Sequence, residues 1–234
     1  MLKLDITKCN VAIDRLLETT TNRRHRFILM CYARHRHLEF SGNYEAVLAD
    51  DMMNDHPIYT IRALGIDLKI DGKDEVRAMY RNWAETNQCV FYIENEKVAV
   101  ADNFVASSLT SYQQVWGGTL LGTKVLGILP KGLSRELFLK MLEIKGIEPG
   151  ENHMYLYKSY EQWFWPFDDR GRLLREDVLE PDRSTSDVIK LDPSDVLTSA
   201  HANQLLAPLI KPLPSFDEYV LAYERDQSKQ TVLK

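Results

Sequence analysis

Histidine and tyrosine side chains stand at predicted strand positions from which they could face a pocket and move protons. His56 opens a short strand directly after an acidic helix end, and Tyr59 belongs to the same strand. Histidine changes charge near neutral pH, so His56 suits proton transfer, and the Tyr59 hydroxyl can donate a hydrogen bond to a carbonyl oxygen. The alternatives are a surface histidine paired with Asp51 or Asp55, and a tyrosine of the core or rim.

His153 and Asp102 are further candidates for the same chemistry. His153 shares one face of a predicted strand with Tyr155 and Tyr157, because alternate residues of a strand point the same way. Asp102 lies between two strand runs and would act as a general base if burial raised its pKa, although Asp-Asn is also a common turn pair. Sequence spacing does not support a metal site built on His56 and His153, and no phosphate-loop or HExxH motif occurs. We therefore expect neither a metal nor a cofactor.

Aromatic residues of the predicted strands are candidates for the wall of an apolar pocket. The run over residues 153–167 mixes large aromatic side chains with polar ones, which is the composition of a small-molecule site and also of an ordinary sheet with one wet face. Trp163 lies on the face of Tyr155 and Tyr157, and Tyr112 and Trp116 share one face of an earlier strand. If these faces are concave, the aromatic rings hold a ligand; otherwise they belong to the core or to an interface.

The composition is typical of a soluble globular protein. The chain has 234 residues, of which 44% are hydrophobic and 27% charged, and it is long enough to bury a core. A net charge of −5 does not favour nucleic-acid binding, so we interpret the basic run 23–37 as a solvated helix face. The three cysteines of the chain form no CxxC pair, which favours free thiols in the cytoplasm. Because no signal peptide or long apolar run is found, we expect no membrane segment.

Helical periodicity comes first along the chain and strand periodicity later. Helices are predicted over residues 5–40, 44–51, 73–86 and 134–145, and strands over 58–61, 67–70, 90–93, 98–101, 104–116, 119–129 and the hairpin around residue 170. This order predicts an α+β fold. After residue 182 a polar linker leads to a tail that is too short for a second domain. We expect the tail to pack on the main domain or on a partner subunit.

Two segments resemble the SnoaL-like family of the nuclear transport factor two-like superfamily. The first combines the acidic helix end ADD (49–51), the dipeptide HP (56–57) and the helix GKDEVRAMYRNWAE (72–85). The second is WPFDDRGRL (165–173) followed by RED (175–177), and family members often carry an aromatic–Asp–x–x–Gly–(Arg or Lys)–(Ile or Leu) turn there. The resemblance covers residues 33–182 and is specific to the fold rather than to a reaction.

The resemblance implies a cone-shaped domain over residues 1–182. In this fold a strongly curved antiparallel sheet wraps around N-terminal helices and encloses an apolar cavity. Relatives often place a carboxylate or histidine near the cavity mouth, where this chain has Glu176. The chain departs from the family in its longer first helical region, in an insertion at residues 117–150 and in a C-terminal extension over residues 183–234.

What the resemblance implies for function is acid–base chemistry without a cofactor. Members include polyketide cyclases, ketosteroid isomerases, dehydratases and epoxide hydrolases, while others only bind ligands or proteins. We therefore expect a lyase, isomerase, cyclase or hydrolase that acts on a hydrophobic oxygenated small molecule. In this hypothesis His56 or Asp102 moves a proton. Tyr59 or His153 polarises the substrate. The alternative is a non-catalytic module for ligand binding or assembly, and in either case a homodimer or higher homo-oligomer is expected.

Overall fold

The structure, a computed structural model, describes residues 3–121 and 133–232. Its helices are α1 (Val11–Thr19), α2 (Arg23–Phe40), α3 (Tyr44–Val47), α4 (Lys73–Glu85), α5 (Gly117–Leu121), α6 (Leu133–Ile144), α7 (Ser199–Leu206) and α8 (Phe216–Val232). Its strands are β1 (Met53–Arg62), β2 (Leu68–Asp71), β3 (Phe91–Val100), β4 (Phe104–Trp116), β5 (Met154–Pro166), β6 (Leu173–Leu179) and β7 (Asp187–Lys190). Short 3-10 helices lie at Ile6–Lys8, Arg183–Thr185, Pro193–Asp195 and Ala207–Leu209.

The described strands form one sheet in the order β2-β1-β6-β5-β4-β3, with β7 added beside β5. Strand β5 pairs with β4 along its whole length, while its other edge pairs first with β7 and then with β6. The α+β prediction is confirmed. The expected antiparallel sheet is mixed, however, because β1 and β6 run parallel, with a register shift between Met53 and Ile58. Pro57 lies in this interval and has no amide hydrogen to donate to a ladder.

Helix α2 contacts α1, α3, α7, α8, β3 and β4 and so lies at the centre of the molecule. The side chain of Asn22 caps its N-terminus by accepting from two backbone amides. The expectation of a solvated basic face is wrong for part of this helix. Arg36 is fully buried and forms an ion pair with Glu96 at 2.8 Å. Arg24 donates to the carbonyls of Asp168 and Asp169 in the β5–β6 turn.

Helices α5 and α6 cover one end of the inner sheet face. A hydrophobic cluster joins Leu120 of α5 and Phe138 of α6 to Val115, Tyr155 and other residues of the sheet. The predicted strand over residues 119–129 is wrong at residues 119–121, which are helical, and its remainder lies outside the described residues. Strand β4 ends at Trp116, and the next residue, Gly117, lies so close to the loop before β5 that a Cβ there would be 2.1 Å from the carbonyl oxygen of Gly150.

The C-terminal segment lies against the rest of the molecule. Strand β7 pairs with β5, and both α7 and α8 contact α2. Two aromatic rings of α8, Phe216 and Tyr219, pack on Phe27 of α2 with ring centroids 5.2 and 5.8 Å apart. Within residues 3–121 and 133–232, no helix combines the length and apolar character needed to cross a membrane.

Candidate functional site

An apolar cavity lies between α4 and the inner face of the sheet. Its wall is mostly hydrophobic and includes Ile61, Met79, Trp83, Phe91, Trp163 and Val178. Its polar lining residues are Glu39, Gln88, Gln113, Thr119, Glu161 and Glu176. The cavity has a volume of about 70 Å³. It is therefore a narrow apolar site that contains carboxyl groups.

Glu176 is brought to the cavity wall by the parallel pairing of β1 and β6. In that register Tyr59 lies directly beside Glu176, and both side chains are buried on the inner face. The Tyr59 hydroxyl is hydrogen-bonded to the hydroxyl of Tyr80, 2.9 Å away on α4, and the nearby Tyr59 hydroxyl acts to lower the pKa of Glu176. The wall behind Glu176 is thus a pair of hydrogen-bonded phenols.

A second carboxyl reaches the same part of the cavity from α2. Glu39 follows His35 by one helical turn, and the His35 Nε2 and Glu39 Oε2 atoms are 3.7 Å apart. His35 Nε2 also lies 3.3 Å from the Tyr80 hydroxyl. The His35 ring packs edge-on against Trp165, with centroids 4.6 Å apart. Two helices and two strands therefore bring an imidazole, two phenols and two carboxyls into one buried cluster.

Burial keeps this cluster largely uncharged at neutral pH. It raises the pKa of Glu39 to about 8, and the Arg36 guanidinium partly opposes this shift. Burial raises the pKa of Glu176 well above its ordinary range, and negative charge on Glu39 adds to the increase. The imidazole of His35 is fully buried, which lowers its pKa to about 3. Protonated carboxyls and a neutral imidazole follow, because each charged form would lose its hydration.

Glu161 is a separate acidic group of the same cavity. Its carboxylate accepts hydrogen bonds from Ser159 Oγ at 2.6 Å and from Trp163 Nε1 at 2.7 Å. Burial raises its pKa to about 7, although these two donors oppose the shift. Since Trp163 pairs with Val178, the antiparallel register puts Glu161 about 13 Å along the sheet from Glu176. Glu161 and Glu176 therefore line the cavity from different positions along the sheet.

His35, Glu39 and Glu176 offer ligand atoms within 4.8 Å of one another, so they are the residues that could hold a metal ion. Ligand atoms around a divalent ion lie about 3.0–3.5 Å apart when each is bound at about 2.1 Å, and His35 Nε2 and Glu39 Oε2 are farther apart than this. A metal-bound histidine usually donates its other N–H, whereas His35 Nδ1 finds no hydrogen-bond partner in the described part of the chain. The donor set fits protons better than a metal.

The structure brings part of the predicted site together. Glu176 and Trp163 line the cavity, and Tyr59 lies directly behind Glu176. Tyr155 and Tyr157 share the inner face of β5 but lie under α6 or beside β7, outside the cavity lining. Helix α6, which packs on these two tyrosines, belongs to the insertion. The strand pattern alone does not predict that a helix covers them.

The other predicted residues lie away from the cavity. The His56 side chain is 69% exposed and its Nε2 is 2.6 Å from Asp71 Oδ1. Asp102 is 79% exposed and lies 3.0 Å from His25 Nε2. His153 and Trp116 line an open groove near the start of α5. Tyr112 points opposite to the cavity-lining Gln113, and Lys158 lies over its ring at 5.7 Å.

The sequence analysis does not single out His35, Glu39 and Tyr80 of the cluster, nor Glu161 of the cavity wall. A signal for two of them exists in the spacing of α2, where Cys31, His35 and Glu39 follow one another at four-residue intervals. Positions four apart share a helix face, and Cys31 is buried. Polar residues that continue an apolar stripe are candidates for a buried site.

Comparison with known proteins finds similar solved structures at low sequence identity. Neither a family model nor a curated protein matches the sequence. Similar solved structures include a candidate polyketide cyclase from Xanthomonas campestris pv. campestris, at 9% identity and a TM-score of 0.43, covering 67% of this chain and 91% of that chain. An NTF2-like protein with a cystatin-like fold from Novosphingobium aromaticivorans aligns at 16% identity and a TM-score of 0.36, covering 75% of this chain and 90% of its own.

The epoxide hydrolase/cyclase-like enzyme SalBIII, with a role in pyran ring formation in polyether salinomycin, is also similar. It aligns at 11% identity and a TM-score of 0.40, covering 69% of this chain and 93% of its own. At these identities the likeness concerns the fold, and it assigns neither a reaction nor a substrate to this chain.

Proposed function

We propose that this protein binds a small, largely apolar, oxygenated molecule in the cavity and catalyses proton transfer on it, with Glu39 and Glu176 as the acid–base pair. The observation that carries the proposal is the convergence of these two buried carboxyls on one apolar cavity. Ligand sites combine an apolar wall with a few convergent polar groups. Carboxyls with raised pKa values are the groups that can both give and take protons near neutral pH.

The two carboxyls are suited to different roles. Glu176, whose pKa is raised the more strongly, is the acid and donates a hydrogen bond to an oxygen of the ligand. Glu39 is the base: with a pKa of about 8, about one molecule in ten carries the carboxylate at pH 7. Both groups do not ionise together, because like charges this close repel. The apolar wall limits the access of water to the intermediate.

Glu161 is proposed to hold a second polar group of the ligand. Its carboxylate is fixed by Ser159 and Trp163, and it lines the cavity at a different position along the sheet from Glu176. Each oxygen can accept one further hydrogen bond. A hydroxyl group on the ligand is a suitable partner, so the proposed substrate is oxygenated at two positions.

A thermal-shift screen of small oxygenated apolar compounds tests binding first, since a ligand that binds the native state raises the unfolding temperature. With a converted ligand in hand, Glu39→Gln and Glu176→Gln should each lower turnover by about 10²–10⁴-fold. His56→Ala is the matched control, because its exposed side chain lies outside the cavity lining. Unchanged turnover in both glutamine variants, or a loss in the control alone, would remove the acid–base pair.

A non-catalytic ligand-binding module is the alternative outcome of the same experiment. In that case ligands bind without being converted, and the glutamine variants change affinity only. The expected homo-oligomer and the cytoplasmic location remain predictions. A hydrophobic ligand and the absence of a nucleic-acid partner are part of this proposal too.

A further inference from the structure

We propose that His35 and Tyr80 are positioning residues: with Tyr59 they form a hydrogen-bond chain whose direction places the Glu176 proton on the carboxyl oxygen that Tyr59 does not bond. The role of this proton in turnover rests on the proposed function. The chain itself is a property of the ligand-free protein and can be measured without a substrate.

The proposed chain leads from helix α2 to strand β6. His35 Nε2 lies 3.3 Å from the Tyr80 hydroxyl, which lies 2.9 Å from the Tyr59 hydroxyl, and Tyr59 lies directly beside Glu176 in the β1–β6 register. The bond from the Tyr59 hydroxyl to the Glu176 carboxyl is the link that the proposal adds, and the lowering effect of Tyr59 on the Glu176 pKa agrees with it. A phenol hydroxyl has one proton to donate. Each tyrosine therefore donates to only one of its neighbours, and the chain runs either from His35 to Glu176 or from Glu176 to His35.

The surroundings of His35 select the direction. A neutral imidazole carries one N–H. On Nε2, this N–H has the Tyr80 hydroxyl as an acceptor, and Glu39 Oε2 is 3.7 Å away. On Nδ1, it would have no acceptor among the residues described, and a buried donor without a partner is rarer than a buried acceptor without one. The Trp165 ring that packs against His35 offers no acceptor either, because its Nε1–H is itself a donor without a partner among the described residues.

With the proton on Nε2, the whole chain points toward Glu176. Tyr80 donates to Tyr59, and Tyr59 donates to the Glu176 carboxyl. Glu176 then keeps its own proton on the other oxygen, where it is free for a ligand. In the reverse direction Glu176 would donate that proton to Tyr59 and offer the ligand only an acceptor. The direction of the chain therefore decides whether Glu176 acts as an acid.

The charges around the cluster support the acid form of Glu176. Glu39 from α2 and Glu161 from β5 both raise its pKa, as does Asp177 beside it on β6. The nearby cation, Arg36, is paired with Glu96. No charge near Glu176 in the described structure therefore favours its ionised form strongly enough to cancel the burial effect.

The tautomer of His35 is the decisive measurement. Long-range ¹H–¹⁵N spectra of the full chain labelled in histidine distinguish Nε2–H from Nδ1–H, and His35→Gln assigns the signal. The expected result is a neutral His35 with its proton on Nε2, unchanged between about pH 5 and pH 9 because burial lowers its pKa to about 3. A neutral Nδ1–H tautomer in the wild-type protein would overturn the proposal, whether or not any variant folds.

Tyr80→Phe tests the link with a matched control. Removal of the Tyr80 hydroxyl should shift the His35 Nε2 proton signal and change the tautomer ratio. The control is Tyr32→Phe: this buried tyrosine of α2 also packs against Trp165, with centroids 4.7 Å apart, but its hydroxyl bonds Ser107. Equal effects of the two substitutions would show a packing response rather than a hydrogen-bond chain, and the proposal would fail.

Kinetics separate this inference from the proposed function. With a converted ligand, Tyr80→Phe should lower kcat by about tenfold, the effect of one lost hydrogen bond, with KM unchanged. Glu39→Gln and Glu176→Gln test the proposed function itself. If both variants keep the wild-type turnover, the proposed function is refuted whichever tautomer His35 has. A wrong tautomer beside a large loss in these variants would refute only the chain.

Discussion

Raising the pH should destabilise the folded protein because it forces a charge onto Glu161. This carboxyl is 7% exposed, and burial raises its pKa from 4.5 to about 7. In the unfolded chain the same group ionises near its ordinary pKa. Between these two values the folded state holds a proton that the unfolded state has released, so the free energy of unfolding falls as the pH rises. The loss begins near the unfolded pKa and is complete above the folded one.

The size of the loss follows from the difference between the two pKa values. A shift from 4.5 to about 7 corresponds to about 3 kcal/mol at about 1.4 kcal/mol per unit. This is a large share of a typical unfolding free energy of about 5–15 kcal/mol. Glu39 contributes in the same direction, with its loss extending to about pH 8. Glu161→Gln should remove only the share of Glu161.

Urea denaturation at about pH 5 and about pH 8 measures the effect. The wild-type free energy of unfolding should fall more than that of Glu161→Gln, by about 2.5 kcal/mol, because part of the total loss has already occurred at pH 5. Glutamine suits this test because its oxygen can accept from Trp163 and its amide can donate to Ser159. Glu143→Gln, at an exposed position of α6, is the matched control and should follow the wild type. Parallel pH dependence in wild type and Glu161→Gln would refute the burial argument.

Other consequences of the structure can be tested by unfolding and binding. Arg36→Met should cost about 3–5 kcal/mol because it leaves the Glu96 carboxylate buried without its cation, and Arg36→Met/Glu96→Gln should recover much of this in urea denaturation. Gly171→Ala should lower the unfolding temperature more than Gly146→Ala: both glycines have positive φ, but only at Gly171 would the Cβ meet a neighbour, 2.5 Å from a Phe27 ring carbon. Dialysis against EDTA should change neither stability nor the affinity for a ligand found by screening, and a loss of either would restore the metal hypothesis.

The order and type of the main elements are predictable from local sequence. The apolar spacing of α4 predicts that Val76, Met79 and Tyr80 face inward, and all three are buried. The alternation in β5 predicts one buried face, which includes Trp163. Such patterns are local and need only the period of a helix or strand. They do not say which strands pair, so the parallel contact of β1 with β6 is not predictable in this way.

The position of the site depends on contacts between distant segments. Strand alternation cannot show that α6 covers Tyr155, nor that the strand residue His56 lies at the surface beside Asp71. The polar residues of α2 look like one solvated run, because charge alone does not reveal burial. Only the approach of α2 to side chains of α4 and β6 makes His35 and Glu39 part of a site.

The buried acids of this protein fall into two groups that differ in their partners. Outside the cavity lining, Glu96 pairs with Arg36, and Glu180 accepts from Tyr157 Oη at 2.6 Å and from a backbone amide at 2.9 Å. In the cavity wall, Glu39 and Glu176 each keep one oxygen without a hydrogen-bond partner among the described residues.

An unpaired buried carboxyl costs stability, and the same fold supplies partners for comparable groups a few residues away. Residues that reduce stability in this way are often retained for function. Because Glu39 and Glu176 also line the cavity, we expect the polar group of a ligand to bind at the part of the wall that these two residues form.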